Sequence, residues 1–522
     1  MSTQRSKHKD YTSLSAKPSS GGTVSDDLPP LRSSGVQVAP ADASLVNPNF
    51  VPRSPAREVT HSTAEVVVST SQPLPETKAK PKAGTKEAKR FEREEKDRKL
   101  LTSERWLARN GHAVTFVLLY MFSILVLYRP YELIPALGFL ASTAFYFALA
   151  TLLIYLPTQL SSDGNLTILS TDVKAILAMA FIAFVTIPIA KDPATAWETF
   201  NEPFIKAVVV FIVLVNVIRT RKRLVQMMWI SISVGLYLGV ASINMYAQGK
   251  FNVEAYRVQV EVGGLFGNPN DMALHFVMMI PLVICLGVAA KTKVMKLVYF
   301  ASAGLFLAAN MVTFSRGGFI GLMACSAVLA WKLGRKYRLN VTLASIVVGA
   351  IAMVAAPGNY GLRMLSIFVP GLDNGSSDQR QELLTRSLWV TARNPWGIGI
   401  GNFPIVGIHD HQTHNAFTQV SSEIGILGLV AYMIFIISPY KKLAAIERTL
   451  FKSEEHSWFY YLAIGLQASI IGYLVTSFFA SVAYNWFIYY LIAYAVAFRR
   501  IYSIETDAKQ EQTAGELVPQ IA

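Results

Sequence analysis

Between two apolar stretches the chain gathers the residue types that move charge and protons. A polar loop ends in Asn394-Pro395-Trp396-Gly397-Ile398-Gly399-Ile400-Gly401-Asn402 and then His414-Asn415. The same region holds Arg363, Arg380, Arg386, Arg393, His409, Asp410 and His411. An imidazole near its ordinary pKa takes a proton from a hydroxyl. A guanidinium stays charged at any working pH, and its planar fork grips phosphate through two hydrogen bonds. Proton abstraction beside a phosphate is the chemistry these residues fit.

His409, His411 and His414 form an H-D-H-x-x-H cluster that resembles a set of metal ligands. Zinc requires protein ligands in fixed geometry with supporting partners, and this spacing matches no strong zinc signature, so no metal is assigned. His414 is favoured as the base because, with Asn415, it opens an amphiphilic helix and is held at its N-terminus. Asn415 itself reads as the cap. Gly397, Gly399 and Gly401 alternate with isoleucines but lack the strand–turn–helix context of a dinucleotide site. They read as a tight turn that lets chain and ligand approach closely.

Further arginines lie in other breaks between apolar runs. Arg257 sits in Ala255-Tyr256-Arg257-Val258-Gln259, Arg316 in a tight turn, and Arg380 just after Ser376-Ser377-Asp378. Three readings stand for each: a ligand for a diphosphate, a salt bridge to carboxylates such as Glu254, Glu261 or Glu382, or snorkelling to lipid phosphates. Asn268-Pro269-Asn270-Asp271 reads as a turn and helix start. His275, one turn further in, is either a site residue or a hydrogen bond facing the bundle.

The elements that must position these groups are membrane helices. Hydrophobic residues make up 52% of the chain and charged residues 16%. Apolar runs at 113–129, 133–156, 173–190, 203–218, 223–247, 271–290, 295–314, 317–333, 340–356, 414–438, 457–480 and 482–498 predict an all-α polytopic bundle of about 12 spans. The shortest, 203–218 and 482–498, have the length of re-entrant segments. Basic clusters at Arg219 to Arg223, Lys291 and Lys293, Lys332 to Arg338, Lys441-Lys442 and Arg499-Arg500 fall on alternate loops, which makes those loops cytoplasmic. Both termini are then expected inside and the large loop 357–413 on the periplasmic face.

The net charge of +14 follows from that topology and gives no sign of nucleic-acid binding. Residues 1–112 are polar, with little apolar periodicity, and are expected to be a disordered, retained cytoplasmic tail. Within them, Lys86 to Leu100 mixes charge signs at helical spacing and reads as a solvated helix. The membrane domain is placed at 113–500 and a cytoplasmic C-terminal tail at 501–522. Cys285 and Cys325 lie inside predicted spans, which counts against both a disulfide framework and a cysteine nucleophile. No internal repeat of the transporter kind is visible.

Several of these segments together resemble the O-antigen ligase and polymerase superfamily of membrane glycosyltransferases. They are Arg129-Pro130-Tyr131-Glu132, Gly267-Asn268-Pro269-Asn270 and Thr313-Phe314-Ser315-Arg316-Gly317-Gly318. The segment from Arg380 through Asn402 follows, and then His414-Asn415 with Glu423-Ile424-Gly425-Ile426-Leu427-Gly428. The resemblance covers roughly residues 114–500. It implies transfer of a glycan from an undecaprenyl-diphosphate carrier to an acceptor hydroxyl at the periplasmic face of the bacterial inner membrane, without metal or other cofactor. By position it gives His414 the role of base and Arg257 and Arg380 that of diphosphate ligands. Arg316 is a third ligand and Arg363 a substitute for Arg380. Asn268, Asn270, Gly397, Gly399, Gly401 and Asn415 would shape the site. Inversion at the anomeric carbon is the expected outcome. The acceptor would be lipid A core for a ligase, another lipid-linked repeat for a polymerase, or a protein hydroxyl. A polysaccharide or lipid transporter is the alternative from another class, and a metal-dependent hydrolase built on the three histidines is a further one.

Overall fold

The computed structural model describes residues 110–517, apart from 141, 252–255, 261–265, 267, 336–337, 355, 357, 368, 370–375, 409 and 456. The N-terminal tail up to residue 109, the helix expected over Lys86 to Leu100, and His409, Glu254 and Glu261 lie outside the described residues. Every regular element among the described residues is helical.

Nine of these helical stretches are long and apolar enough to cross a membrane. They include α1 (Asn110–Tyr128), α2 (Thr143–Asp163, inside the longer run Ala136–Asp163), α4 (Pro193–Val217) and α5 (Arg221–Ala247). The chain continues through α6 (Pro269–Ala289), α7 (Lys293–Val312), α12 (Gly425–Lys452), α13 (Trp458–Thr476) and α14 (Trp486–Leu517). Between them lie α3 (Thr171–Val185), α8 (Arg316–Leu333), α9 (Arg338–Val354), α10 (Ser376–Arg393) and α11 (Ala416–Glu423).

Nine is fewer than the twelve spans expected from sequence. The segments read as spans over 173–190, 317–333 and 340–356 are helices α3, α8 and α9, of 15, 18 and 17 residues. At 1.5 Å per residue such helices fall at or below the thickness of a hydrocarbon core. Two of them are nonetheless integral to the fold. α8 packs against α6 and α13, and α3 lies along α12.

The single span read over 414–438 is two helices. α11 ends at Glu423 and α12 begins at Gly425, whose φ of 85° turns the chain between them. The polar residues Thr418, Gln419, Ser421, Ser422 and Glu423 of α11 are buried in protein. A helix carrying them could not face lipid. α14 runs unbroken to Leu517, through the domain boundary placed at 500.

The centre of the bundle is the contact between α6 and α13. Gly465 and Gly472 on α13 let the two backbones approach, since a Cβ on Gly465 would lie 2.9 Å from Cys285 Cβ and one on Gly472 would lie 2.8 Å from Val277 Cγ1. Small residues at such contacts are how helices pack where no hydrophobic force drives them together. Cys285 and Cys325 are both buried here as free thiols. His275 faces the bundle, with Nε2 3.1 Å from the Ser231 carbonyl and its ring edge-on to Phe487 and Phe266.

One end of the bundle is tied by ion pairs between distant loops. Asp172, fully buried, meets Arg499 at 2.8 Å and Lys442 at 3.2 Å. Asp163 takes Arg219 and Arg500, Glu447 takes Lys332, and Arg221 pairs with Glu505. Four of the five basic clusters that the sequence put on alternate loops therefore meet acidic partners at one end. The carboxylates of Asp172 and Glu447 are fully buried; such pairs add little net stability, but losing the partner strands a charge.

Candidate functional site

The opposite end is formed by the start of α6, the α7–α8 turn, the start of α11 and the α13–α14 turn. Two polar clusters stand there. The first is built on the turn Thr313-Phe314-Ser315. Arg257, 4% exposed, donates from Nε to the Thr313 carbonyl at 2.9 Å and from Nη2 to Asn270 Oδ1 at 3.0 Å. Arg363 donates from Nε to the next carbonyl, that of Phe314, at 2.9 Å. Its guanidinium also lies over the Tyr256 ring and donates to the Tyr256 hydroxyl.

Two arginines far apart in sequence thus clasp neighbouring carbonyls of one turn. The turn needs holding, because Phe314 sits in the left-handed region at φ 51°. Its exit is capped: Ser315 Oγ accepts from Gly318 N at 3.1 Å and donates to Asn270 Oδ1 at 2.8 Å. Arg316, the first residue of α8 and half-buried, is presented directly by this framework. Asn268 caps α6 by accepting from Asn270 N at 2.8 Å, with Pro269 at the first helical position.

The second cluster surrounds His414. Its backbone has φ 51°, and its N–H donates to Ser481 Oγ at 2.8 Å. Ser481 Oγ is also 3.0 Å from Thr413 Oγ1, which donates to the Asn415 carbonyl at 2.8 Å. Asn415 Oδ1 accepts from Phe417 N and Thr418 N and so caps α11. The His414 imidazole is half-buried. Burial, reinforced by the charge of Arg380 and by His411, pushes its pKa down to about 4. His411 is exposed, its ring 6.4 Å from that of His414.

The α13–α14 turn joins the two clusters. A Cβ on Gly317 would lie 2.7 Å from Phe479 Cβ, and Ser481, two residues further along, holds His414. The start of α8, which carries Arg316, and the loop that carries His414 therefore both contact this turn. Arg380 joins them through its field on the imidazole. Arg257 is engaged with Thr313 and Asn270 on the turn that precedes Arg316.

The glycine run is a strap across the α11–α12 break. Ile398 N donates to the Ser422 carbonyl and Gly399 N to the Glu423 carbonyl, both at 2.9 Å, while Ile426 N donates to the Pro395 carbonyl at 2.9 Å. Gly397 has φ 90°, and a Cβ there would lie 2.4 Å from the Glu423 carbonyl oxygen. Gly399 and Gly401 likewise meet Ala190 and Thr199. The close approach is between chain and chain.

Two residues of this region carried no assigned role in the sequence. Ser481 sits in an apolar stretch with nothing to mark it. Glu423 was visible only as part of a motif. It is fully buried and accepts from Phe403 N at 3.3 Å through Oε1, and burial pushes its carboxyl up to about 7.

No curated protein matches the chain. A family model described as O-antigen ligase matches residues 300–433, from within α7 to the first turns of α12. This is a narrower stretch than the resemblance read from sequence. It includes the Thr313-to-Gly318 turn, Arg380, the glycine run, His414 and Glu423, and leaves out Arg129 and Arg257. The matched stretch holds both the arginine-bearing turn and the half-buried imidazole, so this part of the chain is similar to O-antigen ligase, and nine helices among the described residues are long and apolar enough to cross a membrane.

Proposed function

We propose that the chain transfers a glycan from an undecaprenyl-diphosphate carrier to an acceptor hydroxyl, with His414 as general base. The observation that carries this reading is a half-buried imidazole whose backbone is held by Ser481 at the start of α11, with burial and the charge of Arg380 lowering its pKa. His414 takes the proton of the acceptor hydroxyl as its oxygen attacks the anomeric carbon. The bond from that carbon to the diphosphate oxygen breaks, and the lipid diphosphate leaves with the electron pair. In-line attack inverts the anomeric centre. Arg380 and Arg316 stabilise the charge that develops on the leaving group, a contribution that commonly dominates such catalysis. Arg257 acts on the same diphosphate through the turn it holds, since its Nε and Nη2 already serve Thr313 and Asn270. The arginines supply the positive charge, and no metal is invoked.

The ion-paired end faces the cytoplasm in this reading, by the positive-inside bias, and the His414 end faces the periplasm. Both native cysteines are buried, so single introduced cysteines at Glu505 and Gln412 would report the two sides by labelling in intact cells. Ligase, polymerase and protein-glycosylating variants share this chemistry and differ in acceptor.

The test uses purified full-length chain in detergent with a lipid-linked glycan donor and separate acceptors. Conversion to product there, with no membrane to cross, excludes a transporter. His414→Ala should insert and fold but abolish transfer, and full activity in that variant would sink the assignment.

A further inference from the structure

We propose that the C-terminal half of α10 is an interfacial anchor, in which Arg386 and Arg393, stacked on Trp389, bind phosphate head groups of the surrounding bilayer.

Three observations converge on this surface. Trp389 is 43% exposed, its neighbour Leu388 53% and Trp396 65%. The guanidinium of Arg386 lies 4.8 Å from the centre of the Trp389 ring and that of Arg393 4.0 Å. Arg386 is also fixed by Nε donating to the Val406 carbonyl at 2.9 Å. Neither arginine has an ion-pair partner among the described residues. The patch therefore offers two unneutralised cations and two indoles on the end of the bundle where positive charge runs against the usual bias.

Depth comes from the strap. The Pro395 carbonyl accepts from Ile426 N, and a Cβ on Gly425 would lie 2.5 Å from that same carbonyl oxygen. Asn394 to Gly397 is thus seated on the first turn of α12, where the apolar Ile426, Leu427 and Val430 are exposed. Trp396 is placed at the edge of the membrane, and α10 ends one residue before Asn394. Indoles favour that level, and guanidinium groups there reach lipid phosphates. A sugar would need an open indole face, but two guanidinium groups already lie over the Trp389 ring. This favours phosphate over glycan as the occupant.

The anchor bears on the site by geometry. Arg380 precedes Trp389 on the same helix by about 13–14 Å at 1.5 Å per residue. Seating the far end of α10 in the head groups sets the depth at which Arg380 stands beside His414.

The experiment compares full-length chain in nanodiscs of equimolar phosphatidylglycerol and phosphatidylcholine with the same chain in maltoside micelles, which contain no phosphate. Trp389 emission is taken as the difference between wild type and Trp389→Phe. It should be shielded from acrylamide and quenched by tail-brominated lipid in nanodiscs, and accessible to acrylamide in micelles. The double variant Arg386→Gln/Arg393→Gln should weaken seating by about fivefold per arginine in nanodiscs, with thermal unfolding unchanged. Four outcomes would overturn the proposal. Shielding in both media would mean that protein covers the patch. Accessibility in both, or shielding unchanged in the double variant, would mean that phosphate does not hold it. Shielding that appears only on adding a glycolipid acceptor would make the patch an acceptor site.

Discussion

The backbone N–H of His414 donates to Ser481 Oγ at 2.8 Å, across 67 positions of sequence. That bond ties the loop carrying the imidazole to the turn between α13 and α14. It also holds a non-glycine residue at φ 51°, a conformation that side chains other than glycine enter at a cost. Ser481→Ala should leave the chain inserted, lower stability by about 1 kcal/mol and lower kcat by about tenfold or more through loss of positioning. The KM for donor should stay near its original value and Ser481→Thr should restore most of the rate. Steady-state transfer assays on the two variants check this.

The lowered pKa of His414 sets the acid limb of the pH profile. A base that protonates only near 4 stays competent well below the ordinary histidine range. Removing the Arg380 charge with Arg380→Gln should move that limb toward higher pH. Burial, the larger cause, would keep it below 6.5. The linked stability has a fixed sign. The folded pKa lies below the unfolded one, so this contribution is fully present above pH 6.5 and is lost as pH falls from there through about 4. Rate–pH curves for wild type and Arg380→Gln, each with a thermal-unfolding series, test both statements.

Arg257 and Arg316 should fail differently. Arg257→Ala leaves the Thr313 carbonyl without its donor and removes one from Asn270 Oδ1, in a buried setting. It should lower stability by about 1–3 kcal/mol along with activity. Arg316→Ala, at the half-buried start of α8, should lower the melting temperature less than Arg257→Ala does while raising KM for the lipid-linked donor. Melting curves beside donor titrations distinguish the two roles, and equal loss of melting temperature in both would refute the division.

Gly397→Ala should destabilise by about 1–3 kcal/mol, because the site combines a positive φ with no room for a Cβ. Gly304→Ala makes the control. Gly304 lies in α7 with nothing within 4 Å of its would-be Cβ, so alanine there should be neutral or mildly stabilising. Thermal unfolding of the two variants in one detergent is the measurement.

Much of this molecule is local in its cause and so legible in the chain. The apolar lengths of α5, α6, α7 and α13 follow from hydropathy over about 20 neighbouring residues. The caps Asn268 and Asn415 follow from side chains reaching backbone two or three positions away. The gathering of basic loops at one end follows from charge counted along the sequence. Where hydropathy alone misled, protein stood in for lipid. The run 414–438 reads as one span, but the polar groups of α11 are buried against neighbouring elements and Gly425 breaks the helix.

What only the tertiary structure decided is which distant residues share an environment. Nothing in the sequence around Arg257 and Arg363 indicates that both grip one turn, or that Phe479 and Ser481 bridge Gly317 to His414. The candidate residues were set by chemistry written into single positions. Their pairing, and the burial that lowers the His414 pKa beside Arg380, depend on packing between segments far apart in the chain, which neither local propensity nor spacing encodes.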